Sequence, residues 1–271
     1  VEVSVLCYSA LVRKDLAFLS QKFGANIVSE NFEAYLQAVA RDPKKYPPMD
    51  QERIFPGHFA PVVIERDGQR LIEPMRYGAF PPSFVTDPKK YTAYNARRDN
   101  LHSNFWKDMV GYNHGVIVIR GFFEWVKVSD LLRSGKVTID EVTREFERQA
   151  ESRKRRVTAA GKPYKPTATE KKDPLMRDVI VAFKPTLHED LVVPVIFSEC
   201  SQIDSDHEAI KHGFALLTDD PLPEVRAAGH DRSPILLDEK AAVAWLNIQR
   251  SRGGLDEILD SRSQEVFAIS C

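Results

Sequence analysis

Cysteine is scarce in this 271-residue chain: Cys7, Cys200 and Cys271 are odd in number, far apart and without a CxxC pair. That argues against both a disulfide framework and a zinc site, and makes a reducing cytoplasm the expected compartment. Long apolar runs are missing too, since no segment approaches the roughly 20 residues that a membrane span needs. The first ten residues hold Glu2, no Lys or Arg and only a short apolar run, so they make no signal peptide. Charge of one sign is not in excess: 38 Lys and Arg face 39 Asp and Glu, and any nucleic-acid site has to be a local basic groove. No internal repeat and no glycine-rich phosphate loop between strand and helix is visible. No residue cluster implies a metal or an organic cofactor.

What is present is a large apolar complement, 43% of residues, enough for a sizeable core without staples. Residues 13–46 place Leu16, Leu19 and Phe23, then Phe32, Tyr35, Leu36 and Val39, at helical spacing with a break at Gly24, which predicts two helices. From 54 to 85 the texture becomes β-rich, and Asp67-Gly68 between apolar runs predicts a hairpin. "GVIVIRGFFEWVKV" (115–128) is the strongest central strand. Thr138 and Glu141 form a capping-box pattern ahead of a charge-laced helix, followed by a Lys- and Pro-rich flexible connection or hairpin tip. Strand texture returns in "DVIVAF", "LVVPVIFSE" and "GFALLT", and "EKAAVAWLNIQR" predicts a short helix. These elements imply one α+β domain with a largely antiparallel sheet.

Three separated stretches carry chemistry together: "YNARRD" (94–99), "GFFEW" (121–125) and "HDRSPILL" (230–237), all downstream of Cys7. With "RYGAFPP" (76–82) between Cys7 and the first of them, their order and content resemble the SRAP family, the SOS-response-associated peptidase domain, over most of the chain. The resemblance implies a single barrel-like β core flanked by helices, spanning residues 7–271, with a helical and Lys/Pro-rich insertion around 129–175. It implies a sensor of abasic sites in single-stranded DNA, with an associated self-processing peptidase activity, present in a bacterial or phage-type cytoplasm and nucleoid-associated when bound to DNA. In that family an N-terminal cysteine's amine and thiol capture the ring-opened sugar aldehyde as a thiazolidine. A monomer is expected, and no cofactor or metal.

The residue types suit that chemistry. An α-amine, with a reference pKa of about 8, is partly neutral near physiological pH, whereas lysine at about 10.4 is not. Water must leave and the sugar must open, which calls for a carboxyl and an imidazole as proton carriers. By resemblance Cys7 is the nucleophile, Glu124 the general acid/base, and His230 the residue assisting ring opening. Asn95 orients the amine, and Arg97 and Arg232 hold phosphates. Tyr77, where the family usually has Trp, stacks on a base. Read without the resemblance, Cys7 is a small buried hydrophobe, Glu124 is either solvent-facing by alternation or held for chemistry, with Phe123 and Trp125 on the opposite face, and His230 and Asn95 are turn residues. Core packing is the alternative for Tyr77 and the preferred reading of Trp125. The run "RKRR" (153–156) reads first as a solvated helix end and second as a DNA-backbone contact.

Several positions depart from the family pattern. "CYSA" replaces Cys-Gly-Arg, which leaves Arg13 or Lys14 to supply a phosphate contact. Asp99 stands for Glu, and Ser233 for Met. Most consequential, residues 1–6 precede Cys7, and an amide-linked cysteine has no free amine. The expectation is that the reacting protein begins at Cys7, residues 1–6 being a leader or extension. Two other functions stay open: a single-stranded-DNA-binding SRAP relative that makes no crosslink, and a thiol hydrolase using Cys7 with His230 and Asn95 or Glu124.

Overall fold

A computed structural model describes residues 9–49, 52–82, 92–199, 211–247 and 254–271; Cys7 and Cys200 lie outside these. The predicted helical pair is present as α1 (Leu16–Phe23) and α2 (Ser29–Arg41). Asp15 caps α1 by accepting from the Phe18 amide, and Gly24 ends it in the left-handed region at φ 60°. The hairpin is formed by β4 (Phe59–Arg66) and β5 (Gln69–Tyr77), and both turn residues have positive φ, Asp67 at 52° and Gly68 at 74°. This is the primed turn whose twist matches the strands it joins.

The long strand β7 (His114–Lys127) organises the sheet. Its first half lies between β4 and β9 (Leu191–Glu199). Beyond them come β5 and β10 (His212–Asp219), which pair with each other at Gly213 and Phe214, so that β4, β5, β10, β9 and β7 close a ring. The second half of β7 leaves the ring. There it pairs with β1 (Ser9–Val12) on one side and β8 (Asp178–Pro185) on the other, with β3 (Arg53–Ile54) and β12 (Phe267–Ser270) outermost. Short β2 (Asn26–Ile27), β6 (Asn95–Arg97) and β11 (Ser233–Pro234) complete a twelve-stranded, mostly antiparallel sheet.

Gly121 divides the two halves. The register of β7 on β1 shifts between Ala10↔Phe122 and Val12↔Ile119, a bulge. Gly121 sits in it at φ 146°, and a Cβ there would come 2.8 Å from the Phe183 carbonyl oxygen. The extra residue inverts the two-residue alternation. Ile117 and Ile119 face the inner core, and after the bulge it is Phe122, Glu124 and Val126 that take that side. Phe123 and Trp125 are turned outward.

The inner core is filled by Val62, Ile64, Met75, Tyr77, Val193, Val195, Phe214 and Leu216. The outer face of the ring is covered by α1, α6 (Glu239–Leu246) and α7 (Leu255–Asp260) through a second apolar cluster that includes Trp245. Between β7 and β8 the chain makes a helical excursion, α3 (Val128–Arg133) and α4 (Ile139–Ala159). The capping box of α4 is formed as expected from Thr138 and Glu141. The Lys/Pro-rich segment after it differs from a hairpin tip. It folds back on α4, and Glu170 accepts from the Tyr164 hydroxyl, the Thr167 amide and Arg153. Those donors hold its carboxyl down at about 2, the Thr167 amide contributing most. No described helix is long and apolar enough to cross a membrane.

Candidate active site

Glu124 is 1% exposed, which is costly for a carboxyl and points to a specific use. The bulge at Gly121 puts it there. On the neighbouring strand Ser9 pairs with Phe123, so the amino-terminal end of β1 lies one residue along β7 from Glu124.

His230 reaches Glu124 from a different element. The short helix α5 (Pro223–Ala227) ends with Gly229 at φ 91°, the Gly229 amide donating to the Arg226 carbonyl and the His230 amide to the Val225 carbonyl. These two bonds are the Schellman closure, which leaves His230 as the first residue past the turn. Space fixes the glycine as well: a Cβ at 229 would come 2.4 Å from the Cβ of Asp130 in α3.

The imidazole is mostly buried, with Nε2 3.4 Å from Glu124 Oε2 and Nδ1 3.0 Å from the Arg232 carbonyl oxygen. The Arg232 amide also faces Nδ1, at 3.4 Å. Both contacts are to the Arg232 backbone, which fixes the orientation of the ring. Nε2 faces the Glu124 carboxyl oxygen across a 3.4 Å gap. Burial pushes the His230 pKa below its usual value, partly opposed by the Arg232 carbonyl. Glu124 and His230 together therefore form a buried carboxyl–imidazole pair.

The other sequence-predicted residues are distributed unevenly. Asn95 and Arg97 lie on β6, which runs parallel to β10, Asn95 beside Leu216 and Arg97 beside Thr218. Thr218 pairs with Pro234 on its other side, so β10 spaces the Arg97 strand from the strand that Arg232 leads into. Asn95 Oδ1 is buried and has no hydrogen-bond partner among the described residues. Arg97 is half-exposed, its Nε 2.8 Å from Asp99, while Arg232 is mostly buried, 3.6 Å from Asp231. Arg98, between Arg97 and Asp99, serves structure: its guanidinium bonds Asp256 and Asp260 of α7 and Asp219 at the end of β10.

Three expectations need correction. Tyr77 is fully buried with its ring stacked on Phe214 at 5.3 Å, so it presents no face to a base; a strand residue on the inner side of the ring packs the core. Trp125 is the exposed ring, at 44%, because the bulge turns it outward. Arg13 is occupied, with Nη1 2.7 Å from Asp190 and its guanidinium over Phe18. It follows the far end of β1 from Ser9 and is poorly placed for a phosphate contact near Glu124.

Arg53 was not singled out in the sequence. It lies over the Phe123 ring at 3.5 Å and donates from Nε to Ser9 Oγ at 2.8 Å, pinning the start of β1 to β7. The pairing of β3 with β1 that brings it there spans more than forty positions of sequence and leaves no local signal. Among the described residues no group of His, Cys, Asp and Glu is arranged to hold a metal ion.

The model of the SOS response associated peptidase family, SRAP, matches residues 19–270. The chain belongs to the SRAP family. Membership ties it to the response to DNA damage and to association with DNA. Solved structures share the fold at low identity. One from Bacteroides thetaiotaomicron has a TM-score of 0.60 at 13% identity, covering 93% of this chain and 86% of its own. One from Bordetella bronchiseptica has 0.58 at 13%, covering 97% and 98%. A phage-related protein from the same organism has 0.50 at 17%, covering 81% and 79%. No curated protein sequence matches this SRAP chain.

Proposed function

We propose that this SRAP protein captures abasic sites in single-stranded DNA covalently through Cys7, once Cys7 is the first residue of the chain. The free α-amine attacks the C1′ aldehyde of the ring-opened sugar to give a carbinolamine, which loses hydroxide as water to form the imine. The Cys7 sulfur then adds to the imine carbon and its proton passes to nitrogen. The product is a thiazolidine, formed with release of one water.

The observation that carries this reading is the buried Glu124 carboxyl facing His230 Nε2 at the end of β1 toward which Cys7 leads. Two peptide units separate Cys7 from Ser9, so connectivity alone keeps its Cα within about 7 Å of Ser9's. A carboxyl and an imidazole side by side suit an exchange in which protons move on and off sugar oxygen, water and nitrogen. Glu124 is assigned the proton transfers at the carbinolamine, and His230 the opening of the sugar ring. Asn95 Oδ1 is assigned the Cys7 amine, a donor that would relieve an unfilled acceptor costing about 1–3 kcal/mol. Arg97 and Arg232 are assigned flanking phosphates.

The same pair is proposed to assist hydrolysis of the Leu6–Cys7 bond, the self-processing step that would free the amine. Bacterial or phage-type cytoplasm is the proposed setting, with the protein acting as a monomer.

The test compares the 271-residue chain with a version starting at Cys7, each mixed with single-stranded DNA bearing an abasic site, and looks for an adduct that survives denaturing electrophoresis. The adduct is expected from the shorter version and to vanish in Cys7→Ala. No adduct from either would leave a DNA-binding SRAP relative without covalent chemistry. Thiol-dependent amide cleavage without DNA would favour the hydrolase instead.

A further inference from the structure

The far side of β7 from Glu124 carries a second feature. An open cavity of about 760 Å³ lies between α4 with its return segment and the outer face of β1, β7, β8 and β12. Its floor is aliphatic, with Leu11 from β1 and Ile180 and Ala182 from β8. The two carboxylates of the lining are both taken, Glu145 by Arg148 at 2.6 Å and Glu170 by Arg153 at 2.8 Å. Arg156, Arg177 and Lys184 also line it and make no ion pair among the described residues. Arg156 and Lys184 are exposed. Arg177 is half-buried and lies over the Phe146 ring at 3.4 Å. Its buried Nε has no hydrogen-bond partner among the described residues, and burial pushes its pKa down. A guanidinium in that state is retained at a cost that an anion beside it would remove.

We infer that this groove docks an extended acidic segment of a partner protein, with carboxylates on Arg156, Arg177 and Lys184 and aliphatic side chains on the floor between them. The inference does not depend on covalent capture at Cys7. Charge complementarity sets the sign of the occupant, because the carboxylates of the lining are already paired and its free charge is positive. Spacing sets its length. Arg177 immediately precedes β8 and Lys184 stands one residue short of its end, and the seven residue steps between them span about 23 Å of extended chain, too far for a single small anion to bridge. An extended peptide of similar length matches that span. Its alternation also suits the floor, where Ile180, Ala182 and Lys184 line the groove from every second position of β8. The aromatic rings decide against a nucleic-acid strand. Phe146 already holds Arg177 and Phe123 already holds Arg53, at 3.5 Å, where a base would have to stack, and the rest of the floor is aliphatic.

The test selects ligands for the full chain from a displayed library of random twelve-residue peptides, with counter-selection on Arg156→Gln/Lys184→Gln. Both substituted positions are exposed, so the variant keeps the fold, and its urea midpoint should equal that of the parent. Enriched sequences should carry several Asp or Glu separated by aliphatic residues. Synthesised with a fluorescent label, they should bind the parent and lose about tenfold or more in affinity on the double variant, and as much on Arg177→Met, whose thioether keeps a contact with the Phe146 ring. Added salt should weaken binding to the parent more steeply than to either variant. No enrichment over the counter-selection, enriched peptides without carboxylates, or an unchanged affinity in either variant would each overturn the inference. Displacement of a selected peptide by undamaged single-stranded DNA at equal charge concentration would give the groove to nucleic acid and overturn it as well. Crosslinking of an abasic tetranucleotide by the version starting at Cys7, read in parallel, should be the same in parent and variants. Its absence from all of them would sink the covalent reading and leave the groove standing.

Discussion

At the scale of the residue, Glu124 and His230 couple protonation to burial. A carboxyl with 1% exposure is retained at a cost, and relieving a costly group at a working site commonly yields a protein that is no less stable but less active. Glu124→Gln is therefore expected to slow adduct formation with abasic DNA by about a thousandfold, the scale of a lost general acid/base, while binding undamaged DNA normally. Its urea midpoint should be no lower than that of the parent. A variant that crosslinks at the parental rate would remove Glu124 from the chemistry. The residue types of the pair were readable from "GFFEW" and "HDR", but their 3.4 Å approach was not, because about a hundred positions of sequence separate them.

At the scale of the element, two glycines hold the pair in place. Gly121 permits the bulge that turns Glu124 inward, and a side chain there meets both a positive φ and the Phe183 carbonyl. Gly121→Ala is expected to destabilise the fold by about 2 kcal/mol or more and to lower crosslinking beyond what the loss of folded protein explains. Gly229→Ala should act more locally, tilting His230 as the Schellman turn yields to Asp130. Denaturant titration and adduct yield on the same preparations separate the two effects. Equal stability of Gly121→Ala and parent would mean that the bulge does not need glycine. Local sequence announced a glycine in a strand, which suggests a bulge. It did not fix which way the alternation resumed, and core packing was therefore the expected place of Trp125, which the bulge turns outward.

At the scale of the whole molecule, buried imidazoles tie stability to pH. His114 is 2% exposed, stacked on Trp245 at 3.9 Å between ring centroids. Its Nε2 accepts from the Gly111 amide, and Nδ1 donates to the Trp245 carbonyl. Burial lowers its pKa to about 4, and burial lowers that of His230 in the same direction. The unfolded chain takes up these protons near pH 6.5, and the folded His114 does so only near 4. Stability is thus full above about 6.5 and falls as pH drops through that window, by about 3 kcal/mol from His114 alone. The carboxyls of Glu73 and Glu265, held below their usual value by their hydrogen bonds to His212 and to the Leu187 amide, extend the loss further into acid. Urea midpoints at pH 7 and 4.5 should differ strongly for the parent and less for His114→Gln. The same difference in both would show that His114 carries none of it.

The sequence by itself determined the elements and the family. Capping box, hairpin turn, helical spacing and strand composition are short-range signals, set by steric and hydrogen-bonding preferences within a few residues, and four short motifs in order were enough to name SRAP. Tertiary structure decided what faces what. Closure of the β4–β5–β10–β9–β7 ring, the inversion of β7 at Gly121, the docking of Arg53 on Phe123 and the folding of α4 over the outer sheet join residues tens to hundreds of positions apart. Such contacts depend on which surfaces bury each other, and no local pattern encodes that choice.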